Sequence, residues 1–342
     1  IKVETKNIGL RDIEIADTKI SDIDGDRGKL IYRGYDILDL TKNSTFEETA
    51  YLLLNDDLPT KADFDEFIQR LVDARDMPKQ MQSNMRNWRK NADPMVMLQA
   101  FVVALAGYYD DQGTTEEEIN YQSALNLIAK MPTIVASWER IRTGKEIVDP
   151  DPRLSHAGNF LNMLVGEKPD QETERIFDIC LILHADHTFN ASTFAAREVA
   201  STGAHMYSAI SAAIGALSGP LHGGANHEVM KMLLEIKTVD DAESWVKERL
   251  AKNEKIMGMG HAVYLDAERA PGSTRGQKIG NDERRHIMVR SHNKSWLSFI
   301  LLLALLTVFA TGCRVRQTEE GKMPDVDVSA ETAELTRNSI LQ

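Results

Sequence analysis

Cysteine and positive charge are both in short supply in this 342-residue sequence. Its only cysteines are Cys180 and Cys313, too few for a disulfide framework or a cysteine-rich metal site. The 40 lysines and arginines are outnumbered by 52 aspartates and glutamates, which gives a formal net charge of −12 at pH 7. Because nucleic-acid phosphates bind to basic faces, this balance argues against a DNA- or RNA-binding protein. A small anionic ligand is compatible with it, since a local basic pocket suffices.

Long hydrophobic runs are also missing from residues 1–294, where nothing resembles a targeting or membrane-spanning segment. We therefore expect this part of the protein to be cytoplasmic. The sequence shows no internal repeat, no low-complexity linker and no βαβ alternation of strands with helices. Its length exceeds that of an average domain and predicts one large domain or two.

Helical patterns fill most of the chain. Ser44 or Thr45 can cap a helix that carries glutamates in its first turn, and Thr60 can cap the next helix. The segment from Met95 to Ala106 is apolar nearly all round, which predicts a helix in the core or in a subunit contact. Strand-like alternation is confined to residues 18–37, where Asp-Gly and Arg-Gly pairs mark turns. The sequence therefore predicts an all-α protein with a minor N-terminal β element.

A histidine between glycines interrupts the helical pattern in "SGPLHGGANHEV". His222 is followed by Gly223 and Gly224, and a new helix is expected to begin near Asn226. Glycines allow a ligand to approach the backbone closely, and a helix N-terminus beside an imidazole suits an anionic group. The alternative is a helix–helix turn with an incidental histidine.

A second histidine segment, "LHADHTFNAST", ends an apolar helix. His184 and His187 are three residues apart, with Asp186 and Asn190 beside them. Their spacing is compatible with metal ligands, but no third ligand follows at a useful distance. Substrate binding by a histidine that a carboxylate orients explains the pattern equally well, so no metal is predicted.

The third segment, "MGMGHAVY", places His261 directly after Gly258 and Gly260. This Gly-x-Gly-His pattern is also found in ordinary loops. Three histidines in one pocket, however, would suit an enzyme that polarises a carbonyl and moves protons near neutral pH.

Taken in this order, the three histidine segments resemble those of the citrate synthase family. "SDIDGDRGKLIYRGYDILDL", "TFEETAYLLLNDDLPTK" and "RLSHAGNFLNMLVGEKP" are similar to its N-terminal and middle regions, so the resemblance runs from about Gly9 to Tyr264. It implies a helical homodimer that condenses acetyl-CoA, as co-substrate, with oxaloacetate, without a metal or a permanently bound cofactor. It also implies a large helical domain over residues 1–225 and a truncated small domain over residues 226–287.

Site residues follow from the same resemblance. His222 would hold the enol oxygen of acetyl-CoA, and His261 would donate to the oxaloacetate carbonyl. His187, with Asn190, would bind oxaloacetate. The backbone that approaches the CoA adenine would lie at Gly258, Gly260 and Val263.

After Tyr264 the sequence departs from the family pattern. Arg269 aligns with a carboxylate-binding arginine of the family only if one residue is deleted. The family's catalytic aspartate, within an Asn-Val-Asp segment, and its later arginines have no counterpart; Asp266 and Asp282 lie outside that motif. We therefore expect impaired condensation. The alternatives are a 2-methylcitrate synthase that uses propionyl-CoA, and a non-catalytic remnant that only binds ligand or dimerises.

Residues 288–342 resemble the start of a bacterial lipoprotein precursor. Cations near Met288 precede an uncharged apolar core, and Gly312-Cys313 closes it like a lipobox. We expect an unrelated tail that meets a membrane only if the apolar segment 296–310 is exposed. The alternative is a helix over residues 296–309 that packs on the dimer.

Overall fold

The computed structural model of the chain describes residues 16–25, 27–109, 115–219, 222–236, 239–252, 254 and 256. Within these residues, three short strands precede twelve α-helices. The elements are β1 (Ser21–Asp24), β2 (Lys29–Tyr32), β3 (Tyr35–Asp36), α1 (Ile37–Asn43), α2 (Phe46–Asn55), α3 (Lys61–Asp73), α4 (Lys79–Arg86), α5 (Pro94–Ala104), α6 (Glu116–Arg142), α7 (His156–Val165), α8 (Gln171–Leu183), α9 (Ala191–Ser201), α10 (Met206–Leu217), α11 (Gly224–Glu235) and α12 (Val239–Ala251). The expectation of a helical protein with a minor N-terminal β element is confirmed.

The N-terminal sheet is antiparallel, in the order β1-β2-β3. Ser21 of β1 lies opposite Tyr32 of β2, and Tyr32 lies opposite Tyr35 across the next turn. Arg33 and Gly34 form that turn with φ values of +49° and +92°. Two consecutive positive φ values match the twist of a tight hairpin, which explains why an Arg-Gly pair marks the turn.

Side-chain caps begin the helices where the sequence places them. Of the two candidates for α2, Thr45 is the cap, because its side chain accepts a hydrogen bond from the Glu48 amide at 3.2 Å. Thr60 caps α3 in a reciprocal capping box with Asp63. Such caps satisfy amides that the first turn leaves unpaired, typically worth about 1 kcal/mol each.

The core is built around α6, a 27-residue helix that is buried over most of its length. The apolar helix expected from Met95 to Ala106 forms as α5, followed by a short 3-10 turn. Met97 and Phe101 on one face of α5 are buried, whereas Val96 and Val103 remain 55% and 38% exposed. The helix therefore contributes to the core on one side and presents an apolar surface on the other.

The site described below is carried by α8, α9, α10 and α11. Helix α10 packs on α9 and on α5, which fixes the start of α9 relative to the core. The boundary predicted after residue 225 lies inside α11, and the division into domains stays a prediction. No helix within the described ranges is long and apolar enough to cross a membrane. The tail over residues 288–342 lies outside them.

Candidate active site

The segment between α8 and α9 contains three of the candidate residues. His184 caps the end of α8, and its Nδ1 lies 2.8 Å from the carbonyl oxygen of Cys180. Asn190 is the N-cap of α9: its Oδ1 accepts hydrogen bonds from the amides of Ser192 and Thr193, both at 3.0 Å. His187 lies half-buried between these two anchored ends. The structure thus gives Asn190 a capping role, while a role in binding oxaloacetate stays a prediction.

Asp186 is held by both its backbone and its side chain. The Tyr32 hydroxyl accepts a hydrogen bond from the Asp186 amide at 3.0 Å and donates to the Asp186 carbonyl at 2.9 Å. The Asp186 carboxylate accepts hydrogen bonds from the Ser21 hydroxyl and from the Thr188 amide, the latter at 3.0 Å. Burial raises the pKa of Asp186, and the bonds from Ser21 and Thr188 oppose that rise.

His222 lies in the turn between α10 and α11. Its amide donates to the Gly219 carbonyl, and the Gly223 amide donates to the Leu217 carbonyl, both at 3.0 Å. A Cβ at position 223 would stand 2.2 Å from the Leu217 oxygen. The close approach that Gly223 permits is therefore to the end of α10 itself. Helix α11 begins at Gly224, two residues before the expected start near Asn226.

A side-chain hydrogen bond connects the two histidine segments. Nε2 of His222 and Oγ of Ser192 are 2.6 Å apart. Ser192 is fully buried in the first turn of α9, and burial lowers the pKa of His222. A lowered pKa favours the neutral imidazole at pH 7, which has one N–H donor and one acceptor nitrogen.

Ser192 is the site residue that the sequence did not single out. It stands two positions after Asn190 in "NAST", where a serine in the first turn of a helix is ordinary. Nothing local indicates that its hydroxyl faces a histidine 30 residues away. One indirect signal was present in the sequence: Ser192 and His222 each lie within one of the three histidine segments.

The structure brings the segment from His184 to Asn190 together with His222 at the start of α9. His261 and Arg269 lie outside the described residues, and their roles stay predictions. The same holds for the glycines and valine expected near CoA: Gly258, Gly260 and Val263. Among the residues that are described, no three histidine, cysteine or acidic side chains are grouped so that they could hold a metal ion.

Comparison with known proteins identifies the family. The family profile described as "Citrate synthase, C-terminal domain" matches residues 9–290. The similarity therefore extends beyond the limit near Tyr264 that the motifs indicate. Citrate synthase 2 of Bacillus subtilis is 44% identical over 262 residues, which cover 76% of this chain and 70% of that protein. A 2-methylcitrate synthase of Mycobacterium tuberculosis is 38% identical over 306 residues, covering 89% and 75%.

Solved structures show the same fold. Citrate synthase from Pyrobaculum aerophilum superposes with a TM-score of 0.74 at 34% identity, covering 89% of this chain and 87% of that one. The citrate synthase of Thermoplasma acidophilum, solved as a ternary complex with carboxymethyl coenzyme A and oxaloacetate, gives a TM-score of 0.71 at 26% identity. It covers 88% of each chain. The citrate-synthase-like helical fold expected from the sequence is therefore confirmed.

Proposed function

The chain belongs to the citrate synthase family of acyltransferases, and we propose that it binds oxaloacetate and condenses it with acetyl-CoA to citrate and free CoA, at an impaired rate. The observation that carries this proposal is the hydrogen bond between Ser192 and His222 at the start of α9. It fixes the imidazole beside the segment that contains His187. The Thermoplasma acidophilum complex contains oxaloacetate and a coenzyme A derivative, which supports this proposal.

His222 would stabilise the oxygen on which negative charge develops. When the acetyl methyl group loses a proton, the thioester carbonyl becomes an enolate, and the new carbon–carbon bond then forms to the ketone of oxaloacetate, whose oxygen takes up a proton. Water then hydrolyses the thioester of the product, which releases citrate and free CoA. If the Ser192 hydroxyl donates to Nε2 of His222, the single proton of the neutral ring is on Nδ1 and can donate to that oxygen. A donor held in place before the reaction needs no reorganisation during it.

His187 would bind the oxaloacetate dianion, with His261 polarising its ketone. The N-terminus of α9 lies three residues after His187, and the partial positive charge of a helix N-terminus favours an anion nearby. The methyl-proton acceptor is the missing part, because the family's aspartate motif has no counterpart in the sequence. For this reason we propose that condensation is slower than in relatives that have this aspartate.

A second candidate substrate is propionyl-CoA. It is favoured by the 2-methylcitrate synthase of Mycobacterium tuberculosis, whose match covers 89% of this chain. One additional methyl group in a pocket changes discrimination by only about 1–3 kcal/mol. Parallel assays with acetyl-CoA and propionyl-CoA distinguish the two.

Oxaloacetate binding tests the proposed site directly. In calorimetric titrations of the whole chain, His187→Ala should weaken oxaloacetate binding by at least about tenfold, because a hydrogen bond to a charged group contributes about 1.5–3 kcal/mol. His205→Asn is the matched control: His205 is an exposed histidine that caps α10, and asparagine preserves a capping side chain. Equal affinity in all three proteins would contradict the role of His187, and no binding to the unsubstituted chain would contradict the proposed function.

We further propose that the protein is a homodimer that buries the exposed face of α5. Val96 and Val103 lie seven residues apart on one face of that helix, and each is more than a third exposed. Light scattering of the whole chain should give twice the monomer mass of 38.3 kDa. Val103→Glu should shift it toward the monomer, because burying an unpaired carboxylate is costly. Leu250→Glu on α12, at a residue 62% exposed, should leave the dimer intact; a dimer unchanged in both variants would place the interface elsewhere.

A further inference from the structure

We infer that Tyr32 and Ser21, on the N-terminal sheet, are positioning residues for His187. They grip Asp186, the residue before it, and so fix the backbone from which the His187 imidazole reaches its ligand. The inference rests on the proposed role of His187 in binding oxaloacetate. It gives the small β element a function in the active site, although its strands lie more than 150 residues earlier in the chain.

Because of the register of the sheet, two side chains hydrogen-bond to Asp186 from the same side. Ser21 and Tyr32 are directly opposite each other in the β1–β2 pair. Side chains of opposite residues in an antiparallel pair project from the same face of the sheet. Both side chains therefore contact Asp186 from one face of the sheet. The Tyr32 hydroxyl bonds to the backbone of Asp186, and the Ser21 hydroxyl donates to its carboxylate.

Tyr32 contributes the larger share of the grip. Its ring is fully buried, and its hydroxyl is both acceptor from the Asp186 amide and donor to the Asp186 carbonyl. The Ile182 carbonyl oxygen, in the last turn of α8, lies 3.2 Å from the same hydroxyl and shares its single proton with the Asp186 carbonyl. One hydroxyl thus ties the end of α8 to the peptide groups on both sides of Asp186. Buried peptide groups outside regular structure require such partners.

The carboxylate of Asp186 extends this restraint past His187. It accepts a hydrogen bond from the Thr188 amide, and this bond joins the two residues on either side of His187. Thr188 has φ at +56°, a left-handed conformation that is unfavourable for a β-branched residue. The bonds to Asp186 hold the chain in that conformation. His187 therefore lies in a turn in which Asp186 is bonded to the N-terminal sheet and Thr188 is bonded to Asp186.

Tyr32→Phe tests the inference, because it removes the hydroxyl and keeps the ring. Tyr35→Phe is the matched control: Tyr35 is on the same sheet, but its hydroxyl bonds to Asp57 at 3.0 Å near the surface. Amide hydrogen exchange of a peptide covering residues 184–190 should be about fivefold faster or more in Tyr32→Phe, since a hydrogen bond typically contributes about that factor. Oxaloacetate affinity should fall by a similar factor. Both quantities should be unchanged in Tyr35→Phe.

Two further measurements separate positioning from general stability. Exchange of peptides from α6 should be the same in Tyr32→Phe and in the unsubstituted chain; faster exchange throughout the core would overturn the inference. Ser21→Ala should reproduce part of the loss in affinity, and Ser21→Thr, which retains the hydroxyl, should restore it. Faster local exchange with unchanged affinity would also overturn it. If the unsubstituted chain binds no oxaloacetate, the proposed function fails, whereas the exchange contrast still decides whether Tyr32 fixes the His187 segment.

Discussion

Coenzyme A release from acetyl-CoA and oxaloacetate should be at least about 100-fold slower with this chain than with citrate synthase 2 of Bacillus subtilis. The sequence retains His222 and His261 but has no counterpart of the family's aspartate or of its later arginines. Loss of a positioned general base typically lowers a rate by about 10²–10⁴. Loss of charge-assisted contacts to a carboxylate removes about 1.5–3 kcal/mol each, and such losses do not add simply. A thiol-detection assay with both proteins at the same concentration measures the difference.

The variant His222→Ala makes this comparison decisive. If the base is missing, the substitution should lower the residual rate only slightly, because effects within one catalytic unit are strongly non-additive. Rapid turnover that disappears in His222→Ala would contradict the expected impairment. Another acid would then be acting as the base, and Asp266 and Asp282 are the nearest candidates in the sequence.

The second large effect concerns acid stability and depends on His156. This histidine begins α7 at 2% exposure, packed 4.9 Å from the ring of Phe46, and its Nε2 has no hydrogen-bond partner among the described residues. Burial, with the nearby charge of Arg75, lowers the pKa of His156 to about 3. The buried carboxyl of Glu47 accepts the His156 amide at 2.6 Å, and burial raises the pKa of that carboxyl. Burial likewise raises the pKa of Asp178.

A depressed histidine pKa makes the folded state less stable as the pH falls. Below about pH 6.5 the unfolded chain binds a proton at His156, whereas the folded chain does not. The free energy of unfolding therefore falls with pH until the pH approaches the pKa of His156 in the folded chain, about 3. Between pH 7 and pH 5 this single group should remove about 2 kcal/mol. The raised pKa values of the Glu47 and Asp178 carboxyl groups have the opposite effect, because the folded chain binds these protons more readily than the unfolded chain. They increase the free energy of unfolding as the pH falls toward the ordinary pKa of a carboxyl group.

Urea unfolding at pH 7 and pH 5 isolates the contribution of His156. His156→Phe and His156→Gln will each change the free energy of unfolding at pH 7 by an amount of their own. Between pH 7 and pH 5, however, the free energy of unfolding should fall by about 2 kcal/mol less in each variant than in the unsubstituted chain. His205→Asn, at an exposed histidine, is the control and should keep the pH dependence of the unsubstituted chain. If the pH dependence is the same in all four proteins, His156 is not the acid-sensitive group.

The sequence alone was sufficient for features that depend on neighbouring residues. The cap at Thr60 and the Arg33-Gly34 turn were predictable, and the cap of α2 was limited to Ser44 or Thr45, because each is set by residues within three or four positions of one another. The order of the three histidine segments was sufficient for the family, which the match over residues 9–290 confirms. It also identified His187 and His222 as candidates, because a motif preserves residue order whatever the distance between its parts.

Tertiary structure alone decided which side chains meet across the chain. Ser192 contacts a histidine 30 residues away, Tyr32 and Ser21 reach Asp186 across more than 150 residues, and the Glu47 carboxylate binds the amide of His156. No local pattern encodes these pairs, because a buried polar group is satisfied by whatever partner the packing of distant elements brings within about 3 Å. Packing also decided that the apolar helix α5 is half core and half surface, since its sequence is apolar on both faces.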